Sequence, residues 1–182
     1  MSLDLFYFIS SLPGLRWGEA PKLSHGEFME KCRNALSDKD LRRIEHFPAE
    51  KGDLETQWLA WEQFLRNAIV EERAARLHVN PALWRRGERE FRPSDRKAVE
   101  EAFAKGSPLE RETALDGLRW RFLEELAVSY TFCVEALIIY SLQLQILEHR
   151  QSRKADSGAA TCESLVEQGF AQALQVRQPT SN

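Results

Sequence analysis

From Ser107 to Arg150 nothing in the chain stops a helix. Ser107-Pro108-Leu109-Glu110 has the spacing of a capping box and places proline at the first helical position, where its missing N–H is no loss. Gly117 is the one weak point, costing about 1 kcal/mol relative to alanine. One apolar stripe runs through Leu115, Leu118, Phe122, Leu126, Tyr130, Cys133, Leu137, Tyr140, Leu144 and Leu147, at helical spacings of three and four. A second runs through Trp120, Leu123, Ala127, Val134, Ile138 and Leu142, so the later turns need cover on two sides. A straight helix from Pro108 to Arg150 would be about 65 Å long. A compact globule of this chain length is only about 40 Å across. Either the helix breaks near Gly117 or the molecule is elongated, and the fold class predicted is all-α: an elongated helical bundle organised around one long central helix.

The remainder punctuates as helices and turns. Residues 1–23 read as an extended lead-in with a turn at Pro13-Gly14. Ser24-His25-Gly26-Glu27 is a capping box opening a helix to about Ala35, and Ser37 restarts another that Pro48 stops. Asp53 is the expected cap of a helix whose stripe is Trp58, Trp61, Leu65, Ala68, Ile69 and Leu77, ended by Asn80-Pro81. Short helical turns follow, then a helix from Ser94-Asp95 to about Ala104. Residues 151–160 read as a loop or linker, Leu165, Val166, Phe170 and Leu174 as a last amphipathic helix, and 176–182 as a frayed tail. The whole of 1–182 is expected to be a single helical domain.

Composition narrows function by exclusion. The 25 Lys+Arg against 28 Asp+Glu give a net charge of -3, unlike a dedicated nucleic-acid binder. Cys32, Cys133 and Cys162 are widely spaced and fit a reduced, cytoplasmic protein; Cys133 reads as a small buried hydrophobe. No basic segment precedes Leu5–Ile9, so no export signal is expected. Leu126–Leu147 carries too many polar side chains for a membrane span. His25, His46, His78 and His149 are scattered, with no zinc-ligand spacing, and no phosphate-binding glycine motif or nucleophile elbow is present. Neither catalytic residue, cofactor nor metal is expected, and an oligomer is compatible with the sequence.

The remaining candidates are residues of contact. Glu135 lies among Phe132, Val134, Leu137 and Ile138, where an unpaired charge is costly. It can face water, pair with Arg66 or Arg73, or serve as a proton relay in an enzyme built on those three residues. The segment Arg85, Arg86, Arg89, Arg92, Arg96, Lys97 is diluted by Glu88, Glu90 and Asp95. It reads as a salt-bridged surface or a site for an acidic protein partner. Trp17 and Trp84 flank loops and are candidate interface anchors, with Glu19, Arg85, Arg86 and Arg89 beside them.

One set of strings goes further. Phe6-Tyr7-Phe8-Ile9-Ser10-Ser11-Leu12-Pro13-Gly14-Leu15, Trp17-Gly18-Glu19, Pro21 and Leu23-Ser24 are followed by Phe64-Leu65-Arg66-Asn67, Arg73, Asn80-Pro81 and Leu83-Trp84-Arg85. Pro108-Leu109-Glu110-Arg111-Glu112, Leu115-Asp116, Arg119-Trp120, Glu135-Ala136-Leu137, Tyr140 and Leu142 through Glu148 complete the series. In this order they resemble a family of uncharacterised bacterial proteins encoded among V-type ATPase subunit genes. His149-Arg150-Gln151 departs from it where an Arg-Trp pair would stand. That family looks like a shortened form of the all-helical C-type subunit of the ATPase (d-type in eukaryotes), which joins the central shaft to the rotor ring. The resemblance implies a non-enzymatic accessory or central-stalk component, cytoplasmic and peripheral to the inner membrane through the ATPase. Its implied partners are the ATPase subunits, with no nucleic acid and no membrane span of its own. The alternative is a helical scaffold binding an acidic partner through the basic segment.

Overall fold

Serine caps fix the starts of two helices in the first half of the chain. The computed structural model describes residues 3–49, 52–87 and 92–153. Ser24 and Glu27 close the expected box at the start of α2 (His25–Ala35): the Ser24 amide donates to Glu27 Oε2 at 2.8 Å and the Glu27 amide to Ser24 Oγ at 3.2 Å. These bonds from Ser24 hold the Glu27 carboxyl below its usual pKa. Ser37 caps α3 (Asp38–Glu45) through the Asp40 amide. Before them stands a helix, α1 (Leu3–Ser11), where an extended lead-in was expected. Its apolar run is too short for periodicity to separate strand from helix. Packing decides: Phe6 lies 4.5 Å from the Phe132 ring, and Leu5, Phe8 and Ile9 rest on the core.

The tryptophan stripe forms α4 (Asp53–Leu77), which starts on Gly52, with Asp53 inside the first turn. Trp58, Trp61, Leu65 and Ala68 are buried, whereas Leu77 is exposed. The helix stops in the left-handed conformation at His78, with φ 54°. Asn80 then caps a single 3-10 turn, Pro81–Leu83, and α5 (Pro93–Phe103) follows.

The long helix is two helices. α6 (Pro108–Ala127) passes through Gly117 without interruption, and α7 begins at Val134 and runs to Ser152. The break is at Val128–Cys133, where β-branched, aromatic and hydroxyl side chains succeed one another and none favours helix strongly. Ser129 and Tyr130 donate back to the Leu126 and Ala127 carbonyls, tightening the last turn, and Cys133 re-enters in an extended conformation. α6 and α7 pack on each other as an antiparallel hairpin. Asp116 and Arg153 would lie about 55 Å apart along a straight helix. Their side chains are 2.6 Å apart. At about 30 Å each, the two helices fit a compact globule, so the length conflict ends at a turn the apolar spacing concealed. Ser107 occupies the cap position of α6 without a side-chain cap bond.

Among the described residues the chain is all helical. α7 packs against α2, α3 and α6; α5 packs against α4 and α6; α1 lies on α2. The buried apolar side chains form one cluster, from Phe28 and Cys32 through Trp58, Trp61 and Leu65 to Leu123, Leu137 and Leu144. Burying each large apolar side chain contributes about 1.5–3 kcal/mol, which is why α6 and α7 fold back to cover each other. None of the described helices is long and apolar enough to cross a membrane. α7 extends through Ser152, so the expected linker starts no earlier than Arg153. The rest of 151–160, the expected last helix, Cys162, the tail 176–182 and Arg89 lie outside the described residues.

Candidate protein-interaction site

Glu135 is paired, with neither Arg66 nor Arg73. Its Oε1 accepts from Arg43 of α3 at 2.8 Å, and the same guanidinium reaches Glu55 of α4 at 3.4 Å. Glu55 is 2% exposed. Burial works against the Arg43 charge, yet the bonds and attraction of the two carboxylates outweigh it and raise its pKa. Burial likewise pushes the Glu135 carboxyl up, and the bond from Arg43 outweighs it and lowers its pKa. The arrangement ties α3, α4 and α7 at one point. Cys133, expected on a buried stripe, is a half-buried thiol at the cap of α7, whereas burial drives the Cys32 thiol to about 12.

A second network was hidden from sequence reading because its centre, Asp116, sits on the apolar side of α6. Asp116 is 5% exposed and accepts from Arg119 at 3.2 Å and Arg153 at 2.6 Å. Arg119 also reaches Glu62 of α4, at 3.2 Å, and Glu62 takes Arg66 at 3.1 Å. Arg66 is therefore engaged one turn along its own helix.

Of the loop candidates, Trp17 is pinned. Its ring lies over Gly117, 5.7 Å from the Trp120 ring, with the Arg150 guanidinium 5.0 Å from its centroid. Gly117 thus gives the indole its seat on α6. Glu19 makes a surface pair with Arg16, at 3.7 Å. Trp84 is 54% exposed, beside Leu83 at 79%.

The basic segment divides. Arg85 is tied to Glu71 at 3.2 Å, and Glu71 also takes Arg96 at 3.0 Å. Arg86 is held by its backbone instead: its amide donates to Asn67 Oδ1 at 3.0 Å, and its carbonyl accepts from Asn67 Nδ2 at 2.9 Å and from Gln63. Gly87, at φ 68°, makes the turn, and a Cβ there would strike the Gln63 amide. Arg86, on this fixed backbone and exposed, stands at a groove of about 550 Å³ between α4, α6 and this loop. Arg66, Arg73, Arg86 and Arg119 line the groove against one carboxylate, Glu112; Trp84 forms a wall, and the half-buried Ile69 and Val70 supply apolar surface.

A further cavity, about 410 Å³, lies between α2, α3 and α7. There His25 Nε2 is 2.9 Å from Ser141 Oγ and 3.0 Å from Gln145 Nε2, while the His25 amide donates to Glu148 Oε1 at 2.7 Å. Ser141 lies in the middle of α7, where backbone amides are consumed by the helix and cannot stabilise an oxyanion. The contact serves to lock α2 on α7. Among the described residues no three His, Cys, Asp or Glu side chains are grouped to hold a metal ion.

Residues 94–169 match the model of a family described as "Protein of unknown function (DUF2764)", a stretch that takes in all of α6 and α7. No curated protein and no solved structure matches the chain.

Proposed function

We propose that this chain is a non-enzymatic accessory or central-stalk component of a V-type ATPase, resembling a shortened C-type subunit. In this reading it acts through protein contacts, in coupling or in assembly, on the cytoplasmic side of the membrane that holds the rotor. One observation carries the proposal: strings that bear the resemblance, far apart in sequence, meet in space and tie the connections after α1 and α4 to the helices. Tyr140 donates to the Pro13 carbonyl at 2.9 Å, Trp17 packs on Trp120, and Glu148 receives the amide at the start of α2. Asn67 fixes the backbone beside Trp84-Arg85. Residues spent on such bracing suit a part that transmits force or holds neighbours in place. An enzyme built on Glu135, Arg66 and Arg73 finds no support in this geometry, since Glu135 and Arg66 are engaged with different partners.

Affinity purification of the tagged chain from gently solubilised native membranes tests the reading. The V-type ATPase subunits are expected in the eluate at fixed ratio. Their absence, with the enzyme intact in the flow-through, overturns it.

A further inference from the structure

We propose that the groove between α4 and α6 is a docking site for an acidic helical segment of a partner protein, anchored by apolar side chains. Such docking does not depend on whether that partner belongs to a rotary ATPase. Three features set the groove apart from the rest of the basic segment. Its charge is one-sided, four arginines against Glu112. Two of those arginines, Arg66 and Arg119, are already joined to Glu62. Arg73 and Arg86 are exposed and make no ion pair among the described residues, so their charge is available to a visitor. Finally, the Arg86 backbone is clamped by Asn67 and Gln63, so little order has to be created on binding.

The shape selects the occupant. α4 and α6 are held apart by large rings, with Trp61 stacked on Phe122 at 4.4 Å, and further along the same pair of helices the groove opens between them. A trough between two helices, with apolar surface from Ile69 and Val70 and an exposed indole at its edge, accepts the apolar face of a third helix. Tryptophan and arginine are the side chains that most often dominate such contacts. The connection that ends in Trp84 also exposes Leu77, Val79 and Leu83, an apolar run of the kind that marks interaction surfaces. A single-stranded nucleic acid fits less well. Glu62, Glu71 and Glu112 stand in or beside the groove and would repel a continuous polyanion, whereas a helix can place its carboxylates selectively.

The test uses the full chain and a fluorescein-labelled amphipathic helix with Glu on one face and Leu and Phe on the other, read by anisotropy at low salt. The helix is expected to bind, and a copy with Lys for Glu is expected not to. The double variant Arg73→Glu, Arg86→Glu should weaken binding by about tenfold or more, and Trp84→Ala by severalfold. Arg42→Glu, on the exposed side of α3, should leave it unchanged. Helical circular dichroism of each variant shows that the fold is retained, since the reversed side chains are exposed. Equal affinity in the double variant, no binding of the acidic helix, or tighter binding of an oligouridine than of the helix would each overturn the proposal.

Discussion

Arg43 joins three helices through two carboxylates, and its removal has a defined cost. Arg43→Ala would leave Glu55 and Glu135 facing each other without a cation, and a loss of about 3 kcal/mol is expected in urea unfolding. Arg43→Lys should recover part of it, because one ammonium cannot satisfy both carboxylates with the same geometry. The acid limb follows from Glu135. Its folded pKa lies below the ordinary 4.5, so its contribution is complete above that value and is lost as pH falls through the lowered one. Glu135→Gln should be less stable than the parent at pH 7, with the difference shrinking below about pH 4.5. Parallel stability curves across that range would contradict the assignment. None of this was legible in sequence. The cost of burying Glu135 was plain, but its partner lay ninety-two positions away, and arginines on any helix would have served equally.

Elements were read best where a cap fixed them. Ser24 with Glu27, and Ser37, name their helices locally, because a serine oxygen and an amide three residues on need no tertiary help. The turn at Val128–Cys133 could not be found that way. The apolar spacing continues across it in register, and only the folding back of α7 on α6 shows that two helices share the stripe. Gly117 looked like the break and is a seat for Trp17 instead. A Cβ there would lie 3.4 Å from the indole, so Gly117→Ala is expected to be tolerated, gaining up to about 1 kcal/mol in helix propensity. Gly117→Leu should displace Trp17, lowering Tm and shifting the tryptophan emission to the red. The hairpin itself can be measured. Spin labels at Glu110 and Gln151 should report a distance below about 30 Å, whereas an unbroken helix would hold them about 60 Å apart.

At the scale of the molecule, the all-helical class was legible because the helical period dominates nearly every apolar run. The groove was not, since it assembles α4, α6 and the loop at Gly87, which the Asn67 clamp on the Arg86 backbone holds to α4. Exposed Trp84 was the visible trace of it. Arg85, its neighbour in sequence, is spent on Glu71, so adjacent arginines have different parts to play. Association with a V-type ATPase is what the functional reading stands on. Electron cryomicroscopy of that enzyme isolated from native membranes, with every chain identified by mass spectrometry, is the direct measurement. We predict this chain at fixed stoichiometry, with the α6–α7 hairpin resolved against a subunit of the stalk or rotor. An intact, active enzyme from which the chain is missing would contradict it.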